Sequence, residues 1–200
     1  MSWESVRDAR LENEHLLLRR ISPADREQVR AIAFDPDIWR YFVVRVSNEA
    51  DLDQFMADGV ADTDAGRRIV FCIVHKPTNQ IVGSMCYGNL AEKDKRLEIG
   101  WSWLGKQHRG AGTNRWAKYL LLEHAFETLE CERVEFKTDV LNLRARQGLR
   151  NIGAKEEGVL RSFNFMPDNR RRDVIYYSIL KREWPLVKST LLSQAKFPKD

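Results

Sequence analysis

Hydrophobic residues recur along this chain with two periods, one of two residues and one of three to four. Alternating or continuous runs of apolar and β-branched residues predict strands, and the longer period predicts helices. Strands are predicted at 15–21, 67–76, 80–89, 96–104, 133–140, 157–166 and 173–181, and helices at 22–34, 47–66, 115–130 and 142–153, with one more helix in the tail from Trp184. The predicted order before that tail is β-α-α-β-β-β-α-β-α-β-β.

Local signals at the ends of these elements agree with the periods. Ser22 followed by Pro23 is typical of a helix start, and Gly153 is typical of a helix end. The turn "PTNQ" between two β-branched runs indicates a hairpin. The strands at 96–104 and 133–140 flank a helix, which requires at least one parallel strand pair. The prediction is therefore an α/β (α+β) chain with a mixed sheet, and the absence of repeats and linkers predicts one domain over residues 1–200.

Composition then narrows the class of protein. The formal charge of +4 comes from 33 basic and 29 acidic residues spread along the chain, a balance that calls for neither nucleic acid nor a membrane as partner. Three cysteines, Cys72, Cys86 and Cys131, fit buried, reduced thiols. A polar N-terminus and short apolar runs predict a soluble, cytoplasmic protein. The histidines have no metal-ligand spacing with the cysteines, so no metal is predicted.

The stretch "KQHRGAGTNRWAK" at 106–118 places two glycines and several basic residues against the start of an apolar helix. A helix start exposes unpaired N–H groups and carries a partial positive charge, so phosphates bind there readily. Gly110 and Gly112 would let such a group approach the backbone, whereas the alternative is a plain sharp turn. The dinucleotide fingerprint fails because Arg115 stands where its third glycine is required, and Ala111 and Gly112 rule out the Walker loop.

The spacing Gln107-x-x-Gly110-x-Gly112 resembles the signature of the GNAT superfamily of acyl-CoA-dependent N-acyltransferases. The likeness extends from about residue 11 to 185, which leaves a C-terminal tail at 186–200. "GAKEEGVLR" and "NRRRDVIYYSILKREWP" resemble the branch that includes the ribosomal-protein N-terminal acetyltransferases. This resemblance implies a single GNAT-type domain with a twisted, mostly antiparallel sheet whose family strands four and five are parallel and splay apart.

The same resemblance implies acetyl-CoA as cosubstrate, with its pantetheine arm between the splayed strands and its pyrophosphate on the glycine loop. The residues implied for coenzyme binding are Trp101, Trp103, Leu104, Gln107, His108, Arg109, Gly110, Ala111, Gly112, Thr113, Asn114 and Asn142.

Transfer of an acyl group to an amine is helped by a base, because an ammonium has no lone pair with which to attack. Strand periodicity places Glu98 on one face with Gly100 and Ser102, and Leu97, Ile99, Trp101 and Trp103 on the other. Small neighbours leave space beside Glu98, so it is a candidate base; a surface-facing Glu is the alternative. Glu157 matches a Glu proposed as base in the ribosomal branch. Relatives often carry Ser where this chain has Ala145, so the proton donor to the leaving thiolate is open among Ser84, Tyr176 and Tyr177, or none is needed because a thiolate is a tolerable leaving group.

The acceptor side is indicated by two groups of residues. Trp39, Tyr41 and Phe42 are candidates for one wall or for the core, and Arg161 and Arg171 near "PDNRRR" are candidates for holding an anionic group or are simply solvated. The predicted acceptor is a primary amine, either a protein N-terminus such as that of a ribosomal protein or a small amine, attacked directly in a ternary complex of a monomer or homodimer. A non-catalytic acyl-CoA sensor of the same fold is the alternative.

Overall fold

The predicted strands pair into one mixed sheet. The computed structural model describes residues 3–193. The strands are β1 Leu11–Glu12, β2 Leu16–Arg20, β3 Ile69–His75, β4 Gln80–Ala91, β5 Arg96–Leu104, β6 Arg133–Asp139, β7 Lys155–Phe165 and β8 Arg171–Leu180. They lie in the order β1-β2-β3-β4-β5-β6-β8-β7, and only β5 and β6 are parallel among the pairs of the described chain. The predicted mixed, mostly antiparallel sheet is confirmed.

The helices flank this sheet. They are α1 Arg26–Ala33, α2 Pro36–Trp39, α3 Glu49–Asp64, α4 Thr113–Glu123, α5 Leu143–Asn151 and α6 Trp184–Ser193, and a π-helical turn, His124–Thr128, extends α4. Ser22 and Pro23 start a 3₁₀ turn ahead of α1, where Asp25 accepts a hydrogen bond from the Ser22 amide. The predicted helix in the tail is confirmed up to Ser193, and the rest of the tail lies outside the described residues.

Two elements were not predicted. The Asp35-Pro36 pair ends α1 as expected, but Asp35 also caps a new turn, α2, by accepting the Asp37 amide at 3.0 Å. The two-residue strand β1 is too short to show a period, and its pairing with Leu17 and Leu18 of β2 sets its conformation.

The parallel strands touch for only three residue pairs, Arg96–Arg133, Leu97–Val134 and Glu98–Glu135. Beyond Glu98, β5 stays paired with β4 and β6 stays paired with β8, so a gap opens between them. The splayed strands implied by the family resemblance are therefore present, and Glu98 lies at the apex of the gap.

The sheet separates two hydrophobic clusters. One contains Leu97 and Ile99 and packs against α4 and α6, and the other contains Trp39, Leu52 and Trp103 and packs against α1 and α3. Glu98, between Leu97 and Ile99 in sequence, therefore faces the side of the second cluster.

One prediction about β5 is wrong. Simple alternation put Trp101 and Trp103 on the face of Leu97 and Ile99, opposite Glu98. The β4–β5 register shifts between Cys86–Gly100 and Ser84–Trp103, and Trp101 adopts a φ of 50°, so a β-bulge inserts one residue and reverses the alternation. Both tryptophans consequently belong to the second cluster, on the face of Glu98.

Candidate active site

Glu98 is buried at the point where β5 and β6 separate, with 2% of its surface exposed. Its Oε2 accepts a hydrogen bond from Asn89 Nδ2 at 2.6 Å and lies 3.3 Å from Lys137 Nζ. Oε1 is next to Gly100, where a Cβ atom would lie 3.0 Å away, and receives no hydrogen bond from the residues that the structure describes. The missing side chain of Gly100 thus makes room for the Glu98 carboxylate itself, and one carboxylate oxygen is left for a ligand.

The environment of Glu98 makes its carboxylate a stronger base. Burial raises the pKa of Glu98 above its usual value, although the charge of Lys137 and hydrogen bonds from Lys137 and Asn89 oppose that shift. A carboxylate with a raised pKa takes up a proton more readily near neutral pH, as a general base must.

Glu157 is placed differently. Its carboxylate forms a bidentate ion pair with Arg133 and accepts a hydrogen bond from Ser178 Oγ at 2.7 Å. The hydrogen bond from Arg133 lowers the pKa of Glu157 most; burial opposes it, and the hydrogen bond from Ser178 and the charge of Arg133 lower the pKa further. Because β6 and β8 separate Glu157 from Glu98 in the sheet, the two carboxylates do not share a site.

The glycine loop has a backbone that only glycine adopts easily. After a 3₁₀ turn at Lys106–His108, Gly110 and Gly112 have φ values of +85° and +83°, and α4 begins at Thr113. No atom lies within 4 Å of a Cβ built on Gly110. The amides of residues 110–114 donate to no acceptor in the described chain, whereas the next amide, of Arg115, bonds to the Gly112 carbonyl. The loop therefore presents free N–H groups and open space, which fits a pyrophosphate.

The side chains of the loop are held in place by nearby elements. Arg109 Nε donates to the Leu104 carbonyl at 2.9 Å, and its Nη2 lies 2.7 Å from Asp35 Oδ2. Partial burial lowers the pKa of His108, as does the nearby His75. Gln107 and His108 border a cleft of about 950 Å³ beside α1. Arg109 thus fixes the loop to the end of β5 and to the start of α2.

Asn142 caps α5, and its Oδ1 accepts the Ala145 amide at 3.0 Å. This cap puts Asn142 just beyond the end of β6, across the gap from β5.

Ala145 has no proton to donate, and the three candidate hydroxyl groups lie in different places. Tyr177 lies in the first cluster and donates to Glu156, and Ser84 is buried in β4. Tyr176 is opposite Lys137 in the β6–β8 ladder, and Lys137 Nζ lies 5.7 Å from its ring centre, which places Tyr176 on the Glu98 face.

The two aromatic candidates of the acceptor wall differ in exposure. Trp39 is buried, donates its indole N–H to the Ala33 carbonyl at 2.7 Å and packs edge-on against Phe42 and Phe55, which corresponds to the core alternative. Tyr41 is half-buried, and its carbonyl lies 3.4 Å from a guanidinium nitrogen of Arg172. The chain after α2 therefore reaches β8 across the Glu98 face.

The two arginine candidates are both exposed. Arg161 projects from β7 into solvent, and Arg171 bonds to Ser162 and stacks 4.5 Å from the ring centre of Phe165. The adjacent Arg172, which the sequence did not single out, is instead buried.

A smaller cleft, of about 450 Å³, lies on the α3 side of the sheet. It is lined by Asn89, Trp101, Arg68 and the α3 residues Asp58 and Asp62, among others. Glu98 does not line this cleft, but Asn89 does, and Asn89 donates a hydrogen bond to Glu98.

Sequence reasoning missed Asn89, Lys137 and Arg172. Lys137 follows Glu135 by two residues on β6, so the strand period gave a signal that it faces the parallel partner Glu98. Asn89 gave no such signal, because a bulge places it. Arg172 belongs to the predicted basic tip "PDNRRR", but only its contacts with residues remote in sequence distinguish it from its neighbours.

Comparison with known proteins agrees with this geometry. The family model of the acetyltransferase (GNAT) domain matches residues 15–155. The chain belongs to the GNAT acetyltransferase family. The confirmed likeness covers the fold, with its splayed parallel strands, and the glycine loop before α4.

Similar proteins extend along nearly the full chain. The Bacillus licheniformis protein named "Uncharacterized N-acetyltransferase p20" is 29% identical, covering 87% of this chain and 97% of its own. The Bacillus subtilis (strain 168) protein named "Putative ribosomal N-acetyltransferase YdaF" is 28% identical, covering 86% and 94%. The crystal structure of a "putative acetyltransferase" from T. thermophilus is 33% identical, covers 94% and 97%, and has a TM-score of 0.83. The predicted likeness to the branch with ribosomal-protein acetyltransferases is confirmed, and this GNAT chain is an acetyltransferase.

No helix within residues 3–193 combines the length and apolar character needed to cross a bilayer. No group of three or more His, Cys, Asp or Glu side chains in that range is arranged to hold a metal ion.

Proposed function

We propose that this protein transfers the acetyl group of acetyl-CoA to a primary amine, with Glu98 as the general base. The observation that carries this proposal is the buried Glu98 carboxylate at the apex of the β5–β6 gap, with its pKa raised and Oε1 unbonded by described residues. When bound, the coenzyme supplies the thioester carbonyl that the amine attacks. The residues of the chain bind the coenzyme, position the amine and transfer the protons.

The residues present fit the coenzyme. Free amides at 110–114 and the open space at Gly110 would hold the pyrophosphate, and Arg109 keeps that loop in position. The backbone of β5 beyond Glu98 is not paired with β6, so Trp101 to Leu104 can bond an extended pantetheine arm on that side. Asn142, at the other side of the gap, would border the same arm.

Glu98 would remove the proton that the amine must lose. An ammonium group entering beside Oε1 would give its proton to the carboxylate, directly or through a water, and attack as the neutral amine. As the new C–N bond forms and the C–S bond breaks, the nitrogen loses its second proton and the thiolate takes one up, so the second proton restores the group that protonates the thiolate. Ser84 and Tyr176 both lie on this face, and Tyr176 is preferred as the donor of that proton because it is opposite Lys137, which contacts Glu98.

Direct attack is favoured over an acyl-enzyme intermediate because the thiols are poor nucleophiles. Cys72, Cys86 and Cys131 are buried, and burial raises the pKa of each thiol, to about 12 for Cys86 and Cys131. A ternary complex of protein, coenzyme and amine therefore requires no covalent step on a cysteine.

The acceptor is either a protein N-terminus or a small amine. The name of the YdaF relative supports a ribosomal protein as acceptor, whereas the cleft beside Asn89 and Trp101 is also suited to a small molecule. The sensor alternative predicts coenzyme binding without thiol release, and the N-acetyltransferase names of the relatives favour the enzyme.

The test compares Glu98→Gln with Glu157→Gln. Thiol release from acetyl-CoA is followed with N-terminal peptides and small amines over a range of pH. Glu98→Gln is expected to lower kcat/KM at neutral pH by about 100-fold or more, less at high pH, where more amine is already neutral, and to leave coenzyme affinity unchanged. Glu157→Gln, a matched carboxamide on the same sheet face, is expected to retain most activity.

Glu98 is not the base if kcat/KM falls equally in the two variants, or if the fall in Glu98→Gln is the same at every pH. Coenzyme binding without thiol release for any amine in the wild type would instead support the sensor.

A further inference from the structure

The arginines of the β7–β8 hairpin have different environments. Arg170 forms an ion pair of 2.5 Å with Asp139, a buried residue at the end of β6. Arg171 bonds to Ser162 on the neighbouring strand and stacks on Phe165, and Arg161 is exposed. Arg170 is therefore paired with a carboxylate, Arg171 has neutral partners and is exposed to solvent, and Arg161 is exposed to solvent.

Arg172 is the most buried of these four arginines and lacks a carboxylate partner among the described residues. It is 8% exposed, and within residues 3–193 no carboxylate oxygen lies within 4.0 Å of its guanidinium. Its Nε donates to Asn164 Oδ1 at 3.0 Å, and Nη1 reaches the Tyr41 carbonyl at 3.4 Å. Both partners are neutral, and Nη2 donates to no acceptor in the described chain.

The nearest candidate partner, Asp139, is already occupied. Its carboxylate accepts hydrogen bonds from Arg170 and from the Leu141 amide. Burial lowers the pKa of Arg172, as does the nearby Arg170, and the more distant carboxylates of Asp139 and Glu98 offset only part of that effect. A buried cation with neutral partners is stabilised when an anion binds beside it.

The position of Arg172 relates it to Glu98. Side chains alternate along β8, so Arg172, Val174 and Tyr176 lie on one face, and Tyr176 is opposite Lys137, which contacts Glu98. Arg172 lies about 13 Å along the strand from Tyr176, four residues at the usual rise of a strand. Tyr41, from the segment after α2, closes over Arg172 from the other side.

On these observations we infer that Arg172 binds an anionic group, a carboxylate or a phosphate, of the acceptor whose amine is placed at Glu98. The inference rests on the proposed function and adds the chemical class of the substrate: an amine separated from an anionic group by a spacer. Arg172 is preferred over the predicted Arg161 and Arg171 because those two are already solvated.

The experiment uses acceptors in matched pairs. Glycine, glycylglycine and triglycine are each compared with their C-terminal amides, and O-phosphoethanolamine is compared with ethanolamine, so that spacing and the type of anion are both varied. Two readouts are taken: thiol release with acetyl-CoA, and calorimetric affinity for the CoA-bound protein, which needs no turnover.

In the wild type, at least one anionic compound is expected to bind about tenfold or more tightly than its neutral counterpart, because a charged hydrogen-bonded pair is formed. Arg172→Gln is expected to abolish that preference while leaving affinity for the neutral compound unchanged, and Arg172→Lys to restore part of it. Arg171→Gln, the adjacent exposed arginine, is the matched control and should retain the full preference.

Equal affinity of the wild type for anionic and neutral members of every pair would overturn the inference, as would a preference that persists in Arg172→Gln. If Arg172→Gln does not fold, the reduced preference of Arg172→Lys decides. If amines are acetylated without any preference for anionic ones, the acetyltransferase proposal stands and only the inference about Arg172 is rejected. If anionic compounds bind preferentially but no amine is acetylated, only the acetyltransferase proposal is rejected.

Discussion

At the scale of single residues, the reactivity of Glu98 depends on a balance between burial and two polar neighbours. Burial raises the pKa of Glu98, and the ammonium of Lys137 and the amide of Asn89 limit that rise. Lys137 in turn packs 5.2 Å from the ring centre of Phe163, on the exposed hairpin. The strength of the proposed base therefore depends on a cation from the neighbouring strand.

Removing that cation should move the pH dependence in a defined direction. Lys137→Met takes away a charge that lowers the pKa of Glu98, so the carboxylate is expected to stay protonated to higher pH. The acidic limb of kcat/KM, which rises as Glu98 loses its proton, should move upward by about one pH unit. A pH profile of thiol release measures this shift.

Lys155→Met is the control, because Lys155 is an exposed lysine of the same sheet that pairs with Glu183. Its profile should match the wild type, and an unchanged profile in Lys137→Met would show that Lys137 does not act on the base.

Sequence was informative about residues only where the strand period held. It identified Glu98 and the space at Gly100, but it assigned Trp101 and Trp103 to the wrong face because a bulge is not visible in an apolar pattern. Gly88 belongs to the same local structure, since a Cβ there would lie 2.4 Å from the Trp101 ring. Contacts such as Arg172 with Tyr41, 131 residues apart, depend on the complete fold.

At the scale of elements, the glycine loop and the first turn of α4 form one unit. Two left-handed glycines turn consecutive amides toward the same open space, and Arg109 bonds that turn to the end of β5. The sequence predicted this loop because its requirements are local: glycine for conformation and a helix start for the free amides.

Substitution in the loop should separate coenzyme affinity from stability. Gly110→Ala and Gly112→Ala place a side chain at positive φ and in the space proposed for the pyrophosphate, so the KM for acetyl-CoA is expected to rise about tenfold or more, the effect of losing a charged hydrogen bond. Each should also lower the free energy of unfolding by about 1 kcal/mol through backbone strain.

The control for strain is Gly66→Ala, at the end of α3 with a φ of +66°, where the new Cβ would meet the flexible end of Arg7. It should lose similar stability and keep the KM for acetyl-CoA. A similar rise in KM for this variant would mean that strain, and not the loop, sets coenzyme affinity.

At the scale of the whole molecule, most of the fold could be predicted from the sequence, but not the order of all its strands. The element order and the parallel pair followed from periodicity and from the helix between β5 and β6. The position of β8 between β6 and β7 could not be predicted from the local pattern. It depends on which pairing of distant strands buries more apolar surface, and the β6–β8 pairing buries Tyr177 beside Phe136.

The attachment of α1 to the sheet can be tested through a buried ion pair. Asp25 accepts two hydrogen bonds from Arg19 of β2 and one from the Ser22 amide. Burial raises the pKa of Asp25, but the bonds from Arg19 and Ser22 outweigh it, so the net shift is downward. This carboxylate therefore stabilises the fold above the pKa of an unfolded Asp, and the contribution is lost as pH falls through the lowered value.

Asp25→Asn is expected to lower the free energy of unfolding by about 3 kcal/mol at pH 7, and by less at pH 3, where the wild type has begun to lose the same contribution. Urea unfolding at both pH values measures the difference. Asp53→Asn, which breaks an exposed pair with Arg26, should cost under about 1 kcal/mol. A loss that is equal at the two pH values would mean that the charge of Asp25 contributes nothing.

The outermost strand, β7, has a consequence for how such a protein can change over generations. From Lys155 to Phe165 nearly every side chain is exposed, and the strand pairs with β8 along one edge. Substitutions in β7 disturb few packing contacts and lower the free energy of unfolding only slightly, whereas substitutions in β5 or the glycine loop disturb a tightly constrained backbone. Over many generations, sequence change should therefore accumulate along this margin sooner than in β5 or the glycine loop.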